Sequence, residues 1–280
     1  MAANRRTSIF RRTEKELLRL SSERSADAVH GFRTTTRRLQ TLLEQIIGGD
    51  DRKHKKLLKI LNRIRKSAGK VRDIDAQLNA LHSLKVAQEP RRKTQLVHSL
   101  LDLRAQHEKK LCKLLKRDDV REIRRRLKRC AGVVRVEEGR DPITVAREIL
   151  ASIAVPSGPV DEKTLHSYRI VVKRARYAAE FAPKSPENTL FLAQLKRLQD
   201  ALGNWHDWLT LTHTATERLG SVNESSLVAV LHNVTHGKLR HAVAAVAAAR
   251  AERPTLHPRM ALQKKTDENA IVHPRRTAAA

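Results

Sequence analysis

Apolar side chains recur along this chain at alternating spacings of three and four, and no stretch alternates convincingly with period two. That rhythm predicts an all-α protein. One helix is expected from about Ser25 to Ile47, stopped by Gly48-Gly49-Asp50. The next begins near Asp51 and reaches about Leu84, with Leu57, Leu61, Ile64, Ala68 and Val71 on one side. Pro90 opens a third, carrying Leu96, Leu100, Leu103, Leu111 and Leu114, and a shorter basic helix follows around 121–130. Pro142 starts another that ends near Ala154. Val155-Pro156-Ser157-Gly158-Pro159 reads as the clearest linker, and Asp161 as the cap of a helix over roughly 162–182. Two long helices are expected after it, from about Asn188 to Leu219 and from about Glu224 to Arg250. The flanks are weaker. Residues 1–22 read as a basic, weakly patterned segment, frayed or forming a loosely attached helix, and 251–280, with Pro254, Pro258 and Pro274, as a disordered basic tail.

Within this pattern one motif occurs twice. Val29-His30-Gly31-Phe32-Arg33 continues to Arg37-Arg38-Leu39, and Leu165-His166-Ser167-Tyr168-Arg169 continues to Lys173-Arg174-Ala175. A helix turns about 100° per residue, so His30, Arg33 and Arg37 share one face, as do His166, Arg169 and Lys173. The opposite faces are apolar: Phe32, Leu39, Leu42, Leu43 and Ile46 in the first copy, Tyr168, Val171, Val172, Ala175 and Ala179 in the second. The duplication extends into the following long helices. Leu61, Ile64, Ala68, Gly69, Val71 and Asp73 match Leu195, Leu198, Leu202, Gly203, Trp205 and Asp207. Two helical halves, 23–154 and 160–250, are therefore expected to form one body spanning 23–250. They are unequal: Gln40 and Thr41 stand where the second copy has Arg176 and Tyr177, and Lys66 and Lys70 stand where it has Asp200 and Asn204.

Charge sharpens the picture. The 280 residues carry a formal net charge of +27. Residues 1–135 hold 37 basic and 15 acidic side chains, net +22, which leaves +5 for the remainder. Such a field attracts polyanions: nucleic acid, anionic membrane or inorganic polyphosphate. Aromatic residues are only 3%, which argues against single-strand recognition by base stacking. Cys112 and Cys130 match no metal spacing and suggest a reducing compartment. With no signal-peptide core and no run of transmembrane length, a cytoplasmic protein without a membrane partner is expected. His98, His107, His206, His213, His232, His236 and His241 lack clustered carboxylates, so neither a metal site nor a cofactor is expected.

The repeated motif resembles the CHAD family, the conserved-histidine α-helical domain. The resemblance rests on Val29-His30 with Arg33, Arg37 and Arg38, and on Leu165-His166 with Arg169, Lys173, Arg174, Arg176 and Tyr177. The run Leu195-Lys196-Arg197-Leu198-Gln199-Asp200 with Leu202, Gly203 and Asp207 completes it. It implies two pseudo-symmetric antiparallel four-helix bundles with a basic central cleft or pore. It also implies binding of inorganic polyphosphate, association with polyphosphate granules, and no catalytic activity. Some members carry an upstream phosphohydrolase domain marked by E-x-E-x-K. The nearest match here, Glu14-Lys15-Glu16-Leu17-Leu18, lacks the lysine, so a stand-alone domain is expected.

Polyphosphate is a flexible polyanion, and binding it requires cations along a rigid track. Arg grips phosphate oxygens in pairs and Lys supplies a mobile point charge. The candidate grip is Arg33, Arg37, Arg38, Lys66, Lys70, Arg169, Lys173, Arg174 and Arg176, with Arg63 and Arg197 as outlying members. On the second helix of the first half, Lys59, Arg63, Lys66 and Lys70 form a stripe of their own. His30 and His166 either line the site and gain charge beside phosphate, or serve as core histidines. Gly69 and Gly203 read as close-packing points, Asp73 and Asp207 as caps or braces. A nucleic-acid-binding protein using the same surface, with weak affinity, is the alternative, and a phosphoanhydride hydrolase a lesser one, since such chemistry usually needs metal-binding carboxylates. Preferred chain length and oligomeric state are open at this level.

Overall fold

The computed structural model describes residues 2–48, 51–85, 89–133, 139–153 and 161–251, with side chains from residue 8 to residue 249. The expected tail lies outside these residues, except for Ala251, and so does the expected 155–159 linker. Among the described residues the chain is all-helical, with no strand. The helices are α1 (Ala2–Ser22), α2 (Ala26–Thr41), α3 (Arg52–Ser83), α4 (Pro90–Cys112), α5 (Arg117–Val133), α6 (Pro142–Ala151), α7 (Glu162–Ala179), α8 (Pro186–Leu219) and α9 (Ser226–Ala251). Helix α2 continues into a wider π-helical turn, Leu42–Ile46.

Local chemistry sets these boundaries. Ser25, Asp51, Asp141, Asp161 and Ser185 each accept a hydrogen bond from a backbone N–H of the first turn they precede. Pro90, Pro142 and Pro186 occupy first-turn positions where no N–H is needed. Gly220 ends α8 at φ +91°, a conformation that a side chain would strain.

Three apolar clusters hold the helices together. The first joins α1, α2, α3 and α5 around Phe10, Leu17, Phe32, Leu39, Leu57 and Leu61. The second joins α6, α7, α8 and α9 around Leu165, Val172, Leu202 and Trp205. The third gathers the far ends of α3 and α8 with α4 and α9 around Leu81, Leu100, Leu211 and Leu231. Helix α1 is packed against its neighbours from residue 9 onward, with Phe10, Leu17 and Leu20 buried, rather than loosely attached.

Two joints cross between the halves. At one, Glu89, held at φ +50°, accepts hydrogen bonds from the Ser225 hydroxyl and the Leu227 N–H at the start of α9, both 3.1 Å. Arg92 beside it donates to the Leu219 carbonyl at 2.9 Å. At the other, Phe181, just past α7, packs into the first cluster. The two histidine helices, α2 and α7, also contact each other, and so do α3 and α8.

Candidate functional site

The α2–α7 contact brings cations of the two copies together. Lys173 is pushed down to about 7 from the ordinary lysine value, first by burial, then by Arg169 on its own helix, and also by Arg37 and Arg33 across the contact. Asp207 opposes these effects without cancelling them. Arg169 is lowered by burial and feels Arg37 and Arg33 in turn, with Asp207 and Asp73 pulling the other way. Arg65, on the side of α3 that faces α2, is lowered to about 10 by burial and then by Arg37 and Arg33. Five cations therefore share a poorly solvated space with two acids at its border.

Both motif histidines sit at its rim, exposed. His30 is held below the usual histidine range by partial desolvation, then by Arg72 and Arg33, and Lys173 of the other half contributes. His166 is lowered by desolvation, then by His206, Arg169 and Lys173. Its ring lies 5.3 Å from that of His206. Lys173 thus acts on both histidines, and the helices that carry the two motifs are in contact.

The remaining candidates divide. Arg33 donates to the Gly69 carbonyl at 2.6 Å and lies 3.3 Å from Asp73. A Cβ on Gly69 would stand 3.3 Å from that guanidinium, so the glycine makes room for it. Arg38 and Arg176 are half-buried in a shared ion pair: Glu180 takes Arg38 on one oxygen and Arg176 on the other, each at 2.5 Å. Arg176 also donates to Gln199 at 2.8 Å and stands 5.3 Å from the centre of the Tyr177 ring. Arg38 thus reaches across from the first half, and Arg176 braces the same carboxylate from within the second. Arg174, Lys66 and Lys70 are exposed. Arg63 lines a shallow hollow between α3 and α5 beside Asp119 and Glu122. Arg197 lines a separate cavity in the second half. Neither lining includes Arg33, Arg37, Arg65, Arg169 or Lys173.

Arg65, Arg72 and His206 join the site without having been singled out in the sequence. Arg65, Gly69 and Arg72 fall on one helical face at spacings of four and three, the signal that could have found them. The stripe read instead, Lys59, Arg63, Lys66 and Lys70, is one residue out of phase, and all four side chains are exposed. Glu14 and Glu16 lie within α1, where Glu14 pairs with Arg124 of α5 at 2.8 Å.

A family model described as the CHAD domain matches residues 3–216. The chain belongs to the CHAD family. The match starts at residue 3, so α1 is part of the CHAD domain. The crystal structure of the CHAD domain from the plant Ricinus communis superposes with a TM-score of 0.62 at 17% identity, covering 89% of this chain and 88% of that one. At that identity the likeness concerns the fold. No curated protein matches the chain in sequence. No helix among the described residues is long and apolar enough to cross a membrane.

Proposed function

We propose that this CHAD domain binds inorganic polyphosphate in a basic cleft between two pseudo-symmetric, antiparallel four-helix halves. In this reading the protein is a cytoplasmic binding module without catalytic activity, and it associates with polyphosphate granules. The observation that carries the reading is the Arg33, Arg37, Arg65, Arg169 and Lys173 group, in which burial first and repulsion by Arg169, Arg37 and Arg33 after it push Lys173 down to about 7. A string of phosphoryl groups offers many oxygens and about one charge per unit, and it relieves that repulsion where a single anion could not. Arg37, Arg169 and Lys173 grip the chain. His30 and His166 sit where the chain enters and gain charge as it binds. Arg174, Lys66 and Lys70 extend the field outward, and Arg38 and Arg176 act through Glu180 by fixing the distance between the halves.

Counter-ion release makes affinity fall steeply with salt. The test is a binding titration against chains of increasing length at two salt concentrations, with duplex DNA as competitor. Affinity should rise with chain length until the cleft is filled, and DNA should compete poorly. The double variant R37E/K173E should lose at least a hundredfold in affinity while its circular dichroism stays helical. Full-strength binding by the double variant would sink the reading. Ready displacement by duplex DNA would turn it toward nucleic acid.

A further inference from the structure

The central site leaves most of the first half's charge unused. Helix α5 presents Arg117, Arg121, Arg125, Lys128 and Arg129 to solvent. They fall within an arc of about 120°, roughly opposite the buried Val120, Ile123, Leu127 and Cys130. From Arg117 to Arg129 the stripe runs about 18 Å, at 1.5 Å per residue. Over that length one strand of a nucleic-acid duplex presents about five phosphates. A second row stands beside it on α3, where Lys53, Lys56, Lys59 and Arg63 are exposed.

The two helices run antiparallel along this stretch. Lys59 and Arg63 share a hollow with Asp119 and Glu122, near the start of α5. Lys53 acts on Cys130, near its end: burial and then Asp51 raise that thiol, and Arg129, Lys53 and Arg126 oppose them. Packed helices lie about 8–10 Å apart, so the rows straddle a gap close to the width of a duplex major groove, about 12 Å. Asp119 and Glu122 line the trough between the rows. Glu122 also holds Arg125 at 3.3 Å and Arg129 at 3.6 Å, and Asp118 holds Arg121 at 3.3 Å. Lys56, Lys59, Arg63, Arg117 and Lys128 are in no ion pair among the described residues.

This arrangement selects among polyanions. A single-file chain would lie in the trough against two carboxylates. A duplex rests its two backbones on the two rows and leaves the trough empty. Within 53–63 and 117–129 every exposed residue is charged, so neither a stacking platform for single strands nor an apolar wedge for a bilayer is present there. Helices α1 and α3 each pack on both α2 and α5, and α7 packs on α2. The cleft therefore lies at the α2 corner of the first half, and the two rows lie at the α5 corner.

We infer that the outer face of α3 and α5 binds duplex nucleic acid by its two phosphate backbones, on a surface separate from the cleft. Contacts to phosphate alone make the binding independent of base sequence. The inference does not rest on the polyphosphate reading, since the surface shares no residue with the central cation group.

The test titrates the full chain into a labelled mixed-sequence DNA duplex of about 20 base pairs at several salt concentrations. The variant R117E/R121E/K128E should bind about a hundredfold more weakly and flatten the log–log salt slope by about three, with its helical circular dichroism retained. K59Q/R63Q, on the other row, should lose about tenfold. R37E/K173E should keep its duplex affinity within about twofold at ionic strengths that screen charges beyond about 8 Å. Equal duplex affinity in R117E/R121E/K128E and the wild type would overturn the inference. So would a single strand of the same length binding as tightly as the duplex, because the second row would then be idle. Loss of duplex binding in R37E/K173E would move the duplex to the cleft, and displacement of the duplex by vesicles of anionic phospholipid would name a membrane instead; either result sinks the proposal.

Discussion

Arg33 and Arg169 hold the same place in the two copies of the motif, and the fold uses them differently. Arg33 rests on the Gly69 carbonyl and leans on Asp73. Arg169 has no counterpart to that seat: a Cβ on Gly203 would meet nothing within 4 Å, and Arg169 Nε is buried without a partner among the described residues. The first half therefore anchors its arginine with its own backbone, whereas the second leaves its arginine, with Lys173, to be satisfied by something else. A buried donor left unpaired costs about 1–3 kcal/mol, more when it is charged. The second half thus stores more of the free energy that an anion would release, although the first carries most of the net charge. Where charge is concentrated and where it is unsatisfied are separate questions, and the second bears more directly on binding.

The largest effect should come from breaking the joint beneath both arginines. Glu180→Ala leaves Arg38 and Arg176 facing each other uncompensated and should cost about 3 kcal/mol of stability in chemical denaturation. Polyphosphate affinity measured well below the melting temperature should change much less. If affinity collapses with stability intact, Glu180 belongs to the site rather than to the frame.

Single truncations set the halves against each other. Arg169→Ala should weaken polyphosphate binding about tenfold, equivalent to about 1.4 kcal/mol, with unchanged or improved stability. Arg33→Ala should weaken it about threefold and lower the melting temperature, because the Gly69 carbonyl and Asp73 lose their partner. The reverse order would overturn the comparison.

Proton linkage sharpens it further. Free lysine holds its proton to about 10.5, whereas folded Lys173 releases it near 7. The unfolded chain thus binds more protons between those values, and this residue makes the free fold more stable as pH rises from 7 towards 10. A bound anion favours the charged form, so it raises the pKa and draws a proton in above pH 7. Affinity should be several-fold higher at pH 6 than at pH 8, with uptake of up to about one proton near pH 8 visible as buffer-dependent binding enthalpy. Lys173→Met should flatten both dependences and raise the melting temperature of the free protein. A histidine contribution would survive in that variant as a residual gain at pH values below the usual histidine range, because both rings are shifted down.

The smallest effects concern the glycines. Gly203→Ala adds helix propensity in open space and should stabilise by up to about 1 kcal/mol with unaltered binding. Gly69→Ala gains the same propensity but displaces Arg33, so stability should hardly move while affinity falls about twofold. Identical behaviour of the two would show that the Arg33 seat is immaterial.

Helices α2 and α7 were legible because each has an apolar face opposite a column of cations, with a capping residue in front. Helix α1 was not. Thr13 takes one place in its buried stripe of Phe10, Leu17 and Leu20, and its hydroxyl is satisfied by the Ile9 carbonyl at 2.8 Å, so a core position wears a polar side chain. The site was half legible. Helix α3 carries cations on two adjacent stripes, and nothing in one dimension says whether Arg65 and Arg72 or Lys66 and Lys70 face α2. Glu180 stands one turn beyond Arg176 and could be paired with it from sequence alone. Its reach to Arg38, 142 positions earlier, is a product of the fold.

The Glu89 clasp and the Phe181–Glu180 joint each pin one half to the other, and together they behave like the fixed jaws of a gauge. Neither half can swing outward without uncapping α9 or drawing a phenyl ring out of the opposite core. The proposed polyphosphate site would inherit that fixed girth: a gap so framed would pass a single-file strand of phosphoryl units and refuse a stout double helix, however negative.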